Sequence, residues 1–121
     1  MKAHNFRNLK VWQRAIELVE SIYKATSTFP KEELFGLISQ IKRSSVSIPS
    51  NIAEGSAKSS EKDFNRFLEI SLGSCYELET QLTLANRLKM LETDDYNKLI
   101  IEVHEVQKMI SGLSKSLKSK I

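Results

Sequence analysis

One cysteine, two prolines and four glycines are all that 121 residues contain, and each scarcity excludes something. A lone cysteine cannot form an internal disulfide, and this fits a reducing cytoplasm. Few glycines and prolines leave little chain for tight turns, which favours long helices over many short strands. No apolar run approaches the length of a membrane span, so no membrane partner is expected. The first residues, Met1 to Arg7, contain no apolar core of signal-peptide length. Cytoplasmic location is therefore expected. Catalytic and metal-binding patterns are also scarce. Cys75, His4 and His104 are far apart in the sequence, the carboxylates form no Glu-x-x-His pair, and no glycine-rich phosphate loop occurs. Neither an enzyme, a metal site nor a cofactor is expected.

What is present is amphipathic helix. Hydrophobic residues make up 40% and charged residues 27%, as in a soluble globular protein, and the length suits one domain over residues 1–121. The spacing predicts helices at about 9–27, 31–55, 61–90 and 94–118. In the first, Leu9, Trp12, Ile16, Val19 and Tyr23 read as the main apolar row, with Val11, Ala15, Leu18 and Ile22 beside it. Asn8 reads as its N-cap. In the second, Pro30 suits the first turn and Glu32 and Glu33 complement the helix dipole. The third has a seam from Phe64 to Leu88 with a small-residue centre at Ser71, Gly73, Ser74 and Cys75. Gly73 suggests close packing there. It starts at Ser60, an N-cap with Asp63 three residues on. In the fourth, Tyr96, Leu99, Val103, Val106, Ile110, Leu113 and Leu117 alternate steps of three and four, like a coiled-coil seam. The fold class is all-α: an antiparallel up-down-up-down four-helix bundle with a proline-kinked second helix.

The stretch from Arg43 to Gly55 departs from these local rules. Pro49 falls inside a helical pattern that persists on both sides, so a kinked continuous helix is preferred to two separate ones. Ser44, Ser45 and Ser47 are placed to bond the freed carbonyls. Arg43, Asn51, Glu54 and Glu77 are candidate structural polar residues. Arg43 meeting Glu77 would fix register between α-helical seams, and independent solvated charges are the alternative.

Net charge is +3 and uneven. Lys2, Arg7, Lys10 and Arg14 precede the first acid, and no acid follows Glu105. Solvated termini explain this simply; an electrostatic footprint for an anionic partner is the functional reading. Candidate nucleic-acid contacts are Arg7, Lys10, Arg14, Lys42, Lys58, Lys62, Arg66, Lys115, Lys118 and Lys120. The apolar faces of the first and last helices are wider than one seam needs. Val11, Leu18 and Ile22, or Ile100 and Met109, would make an exposed strip in a monomer, a mark of assembly.

Four blocks carry a family resemblance: Phe6-Arg7-Asn8-Leu9-Lys10-Val11-Trp12-Gln13, Phe29-Pro30-Lys31-Glu32-Glu33, Gln40 through Gly55 with its Ser-Ile-Pro-Ser-Asn-Ile-Ala-Glu-Gly core, and Gly73-Ser74-Cys75-Tyr76-Glu77-Leu78-Glu79-Thr80. They resemble the bacterial 23S rRNA intervening-sequence protein family, whose name reflects genes found inside insertions of ribosomal RNA. The resemblance implies a four-helix bundle assembled as a ring-like homopentamer, with a fold shared with the accessory protein of diversity-generating retroelements. It supplies no catalytic residues. The expected function is a non-enzymatic, ring-forming bundle that binds RNA or DNA through backbone phosphates. A protein-interaction scaffold without nucleic acid is the alternative.

Overall fold

The computed structural model describes residues 4–31 and 36–119. Among them the chain forms a short 3-10 turn, Phe6–Asn8, and four helices: α1 (Lys10–Thr26), α2 (Leu37–Ser56), α3 (Glu61–Arg87) and α4 (Thr93–Lys118). No strand occurs among the described residues. The helices pack cyclically, α1 on α2, α2 on α3, α3 on α4 and α4 on α1. The result is a four-helix bundle around one apolar core.

The core row of α1 is the reverse of the expected one. Val11, Ala15, Leu18 and Ile22 are buried, whereas Trp12, Ile16 and Val19 are half-buried and Tyr23 is exposed. Both rows have helical spacing, so periodicity alone could not rank them. Volume settles it: the smaller row fits the centre of four crossing helices, and the bulky row turns toward α2. Ile100 and Met109 also pack against the core rather than forming a strip. The N-terminus of α1 is set differently too. Asn8 belongs to the 3-10 turn, and Asn5 caps that turn by accepting from the Arg7 N–H. Leu9 takes the cap position of α1 without a side-chain bond.

The predicted beginning of the second helix is displaced. It begins at Leu37 rather than near Lys31, and the expected roles of Glu32 and Glu33 lie outside the described residues. Pro49 is inside α2, which continues through it to Ser56. A mid-helix proline removes the bond to the carbonyl four residues back and costs about 3 kcal/mol in isolation. The nearby serines do not repair that loss. Ser44 Oγ donates to the Ile41 carbonyl and to Gln81 Oε1, and Ser45 Oγ donates to the Lys42 carbonyl. Packing offsets the cost instead, since Pro49 is buried and walls a groove with Trp12, Ile16 and Val19.

Small polar side chains hold α2 on α3. Ser71 Oγ donates to the Ile48 carbonyl at 2.9 Å, Ser47 and Ser74 hydroxyls meet at 2.8 Å, and Ser44 reaches Gln81 at 2.7 Å. Ser71, Ser74 and Cys75 thus face α2 as their size suggests. Gly73 does not: it is exposed, and a Cβ there would meet nothing within 4 Å. The glycine that permits close approach is Gly55, where a Cβ would lie 2.7 Å from Phe67 Cβ.

Ser60 caps α3, accepting from the Asp63 N–H at 3.1 Å. The helix stops at Arg87, short of the expected Met90. Lys89 takes a left-handed φ of 63°, and the Met90 and Lys89 N–H groups donate to the Ala85 and Asn86 carbonyls. That is a Schellman stop with lysine where glycine is usual, so no glycine announced it. Leu88, expected in the seam, is 63% exposed as a result. In α4 the predicted seam is inside: Leu99, Val103, Val106, Ile110 and Leu117 are buried, with Tyr96 and Leu113 half-buried. Glu92 is at its cap, without a side-chain bond.

Candidate nucleic-acid and assembly surfaces

Most of the candidate basic residues gather at one end of the bundle. The His4 N–H donates to the Ser56 carbonyl at 3.1 Å, tying the N-terminal segment to the end of α2. Five residues later α3 begins, and Asn65 near its start accepts from Ser114 near the end of α4. Arg7, Lys10, Lys58, Lys62, Arg66, Lys115 and Lys118 therefore share one end, although they come from four separate segments. Lys58 and Arg66 both lie over the Phe67 ring, at 4.9 and 4.8 Å from its centroid. Arg7 lies 4.5 Å over Phe6. Glu54, Glu61, Asp63 and Glu69 are the acids of this region, fewer than the cations. Glu61 lies 3.9 Å from His4, beyond hydrogen-bond distance, and Asp63 lies 3.9 Å from Arg66. Lys120 lies outside the described residues.

Two candidates do not join this end. Arg14 donates to Glu105 at 2.7 and 3.0 Å and to Glu17 at 2.8 Å. Those bonds raise its own pKa, and hold Glu105 below the usual carboxylate range. Arg14 therefore ties α1 to α4 and is not free for phosphate. Lys42 lies far along α2, 4.8 Å over Tyr23. Among the structural polar candidates, Asn51 donates to the Ser47 carbonyl and hydroxyl at 2.8 and 2.9 Å. Arg43, Glu54 and Glu77 are exposed. Arg43 and Glu77 form no ion pair among the described residues, because neutral Ser44–Gln81 and Ser47–Ser74 contacts occupy the α2–α3 seam between them.

An apolar groove of about 300 Å³ runs between α1 and α2, lined by Phe6, Trp12, Ile16, Val19, Val46 and Pro49 among others. Its wall is stiffened by an edge-to-face contact of Phe6 and Trp12, centroids 5.1 Å apart. The exposed strip expected from Val11, Leu18 and Ile22 is replaced by this one. The residues were in the right helix but on its neighbouring row.

A polar cluster on the α3–α4 face was not singled out by the sequence. Glu79 Oε1 accepts from Gln107 at 2.9 Å and is 3.2 Å from His104 Nε2. The Gln107 bond, helped by His104, holds the Glu79 carboxyl below its ordinary pKa against the opposing effect of burial. A depressed folded pKa contributes stability above the unfolded value, near 4.3, and that stability is lost as pH falls through the folded value. Glu79→Gln is accordingly expected to flatten the pH dependence of the urea midpoint below about pH 4.3. Glu79 is more than a third exposed, so the change is small. Parallel pH profiles for the two proteins would contradict the assignment. No group of three or more His, Cys, Asp or Glu side chains is placed to hold a metal among the described residues.

The family model of the 23S rRNA-intervening sequence protein matches residues 7–112. The chain belongs to that family. Its architecture is also similar to a crystal structure of a protein of unknown function from the S23 ribosomal protein family of Bacteroides thetaiotaomicron. The identity is 28%, the TM-score is 0.78, and the match covers 87% of this chain and 98% of that one. No curated protein matches. The 23S rRNA-intervening sequence match spans all four helices, from the 3-10 turn to Gly112 in α4. It takes in the groove apart from Phe6, the Glu79 cluster, and the basic end apart from Lys115 and Lys118. No helix among the described residues is long and apolar enough to cross a membrane.

Proposed function

We propose that this chain is a non-enzymatic bundle, a single cytoplasmic domain, that assembles as a ring of copies and binds the backbone of RNA or DNA. The observation that carries the reading is the convergence of Arg7, Lys10, Lys58, Lys62, Arg66, Lys115 and Lys118 on one bundle end. A ring would multiply that modest charge into a field attractive to phosphate. The number five, and kinship with the retroelement accessory protein, come from the family resemblance. The antiparallel course with a bend at Pro49 belongs to the same reading. The antiparallel part is supported by pairs whose numbers run oppositely, Ser44 with Gln81 and Ser47 with Ser74 on α2–α3, and Thr83 with Tyr96 and Asn65 with Ser114 on α3–α4.

Backbone binding is electrostatic, so log affinity for mixed-sequence RNA or DNA should fall linearly with log salt. Lys62→Ala/Lys115→Ala removes two exposed cations that only the fold brings to one end. The salt slope is expected to shrink by about two, while Lys98→Ala, at the far end, leaves it unchanged. Fluorescence anisotropy over a salt series measures this. No binding at low ionic strength, or equal slopes in all three proteins, would defeat the proposal. The apolar groove favours the second reading, a protein scaffold. A stoichiometric co-purifying protein, together with unchanged nucleic-acid mobility, would select it.

A further inference from the structure

The third helix carries a second seam that faces outward. Ile70, Gly73, Glu77, Thr80 and Leu84 follow steps of three and four, and all five are exposed. Ile70 and Leu84 are 45% and 47% exposed, and Gly73 between Ile70 and Glu77 leaves a notch where a Cβ would touch nothing. A mid-helix glycine with no neighbour in its own chain weakens the helix without improving any internal contact. The spacing is that of a helix-packing face; Thr80 and Leu84 border a pocket shared with His104 and Gln107 of α4, and among the described residues no helix covers Ile70, Gly73 and Glu77.

Two apolar grooves are also open among the described residues: one between α1 and α4, lined by Ala25, Leu99 and Ile101 with charges of both signs, Lys24 and Lys98 beside Asp95 and Glu102, and one between α1 and α2, whose flanking charges are of one sign. The α1–α2 groove is lined by Trp12, Val19, Val46 and Pro49 among others, and the cations Lys42 and Arg43 lie one turn from Val46 on α2. The ridge has the opposite charge. Between Arg66 and Arg87 the charged residues of α3 are Glu69, Glu77 and Glu79, with no base, and Glu79 is turned to His104 and Gln107 of α4.

We infer that the α1–α2 groove of one copy receives the outer seam of α3 of the next, with Arg43 meeting Glu77 across the contact. This rests on the ring reading and assigns its faces. The occupant is a second copy because concave and convex, basic and acidic, occur on one chain. Like faces reject one another: ridge on ridge would place Glu77 beside Glu77, and groove on groove would crowd Lys42 and Arg43 together. Two different faces joined head to tail make a heterologous contact, the kind that generates rings. The notch at Gly73 admits a groove-wall side chain, and this gives that glycine a role it lacks within one subunit.

The test uses the full chain and two variants. Gly73→Leu fills the notch but meets nothing in its own subunit, so its helical circular dichroism is expected to be unchanged while its assembly is lost. Val46→Glu places an acid in the groove and is also expected to be monomeric by light scattering. The Gly73→Leu copy still has a groove and the Val46→Glu copy still has a ridge. Their equimolar mixture is therefore expected to form a heterodimer that neither forms alone. A monomeric wild-type chain would overturn the ring reading together with this one. A wild type that assembles, with either variant assembling equally well, overturns the face assignment alone. Two monomeric variants that fail to pair overturn the head-to-tail arrangement. A Gly73→Leu chain without the helical signal of the wild type overturns the open notch.

Discussion

Phe64→Ala is expected to lower the unfolding free energy by about 3–5 kcal/mol, measured by urea denaturation with circular dichroism. Phe64 is fully buried and is among the largest such side chains in the chain. Its ring sits where three segments join, under Gly55 at the end of α2 and 4.9 Å from the His4 ring of the N-terminal segment. Truncation removes the transfer free energy of the ring and leaves a cavity that rigid helix backbones cannot collapse to fill. Against total stabilities of about 5–15 kcal/mol, this one change threatens folding. A loss below about 1 kcal/mol would mean that Phe64 is not enclosed as described.

Gly55 sets the spacing at the same junction, and its replacement separates two kinds of damage. A Cβ there would lie 2.7 Å from Phe67 Cβ and 3.0 Å from Phe64 Cδ1. Alanine gains about 1 kcal/mol of helix propensity over glycine, but overpacking between helices costs about 1–3 kcal/mol. Truncating Phe67 to alanine would not relieve the closer contact, because alanine keeps the Cβ that collides. The α2–α3 separation itself has to grow.

These two residues show where the sequence was informative. The existence, order and type of the helices were legible because 3.6-residue periodicity sums over many positions. The α4 seam was legible residue by residue, because its apolar row has no rival. Two features were not. In α1 two adjacent rows compete, and only the volume available between four helices ranks Val11, Ala15, Leu18 and Ile22 above Trp12, Ile16, Val19 and Tyr23. Among the glycines, Gly73 sits amid small residues and looks like the contact, whereas Gly55 looks like a helix end. Which glycine a neighbour approaches is a tertiary fact that no local pattern encodes.

The basic end was half legible for a related reason. Excess cations near both chain termini are plain in the sequence, but two termini need not meet. The Ser56 and Ser114 contacts bring them together, and they add Lys58, Lys62 and Arg66 from the middle of the chain. The same folding removes Arg14 from the set, because Glu105, ninety-one residues away, lies against it. Arg43 and Glu77 fail as a pair within the subunit for the converse reason: hydroxyls and an amide of shorter reach close the seam first.

The Cys75 thiol is expected to resist alkylation in native buffer at a rate about a thousandfold below that of an exposed thiol at the same pH. Burial is the main cause, with the neighbouring Glu79 charge adding to it, and together they push the thiol up to about 12 from 9.0. Three units of pKa reduce the reactive thiolate by about 10³ at pH 8, before any steric exclusion by the core. Cys75 is fully buried in that core, so labelling has to wait for the helix to open. Urea should therefore raise the labelling rate along the same curve as the loss of helical signal. Phe64→Ala, which lowers the cost of opening, should raise it in native buffer as well. Labelling of the native protein at the exposed-thiol rate would contradict both the burial of Cys75 and the small-residue seam of Ser71, Ser74 and Cys75 that brings α3 against α2.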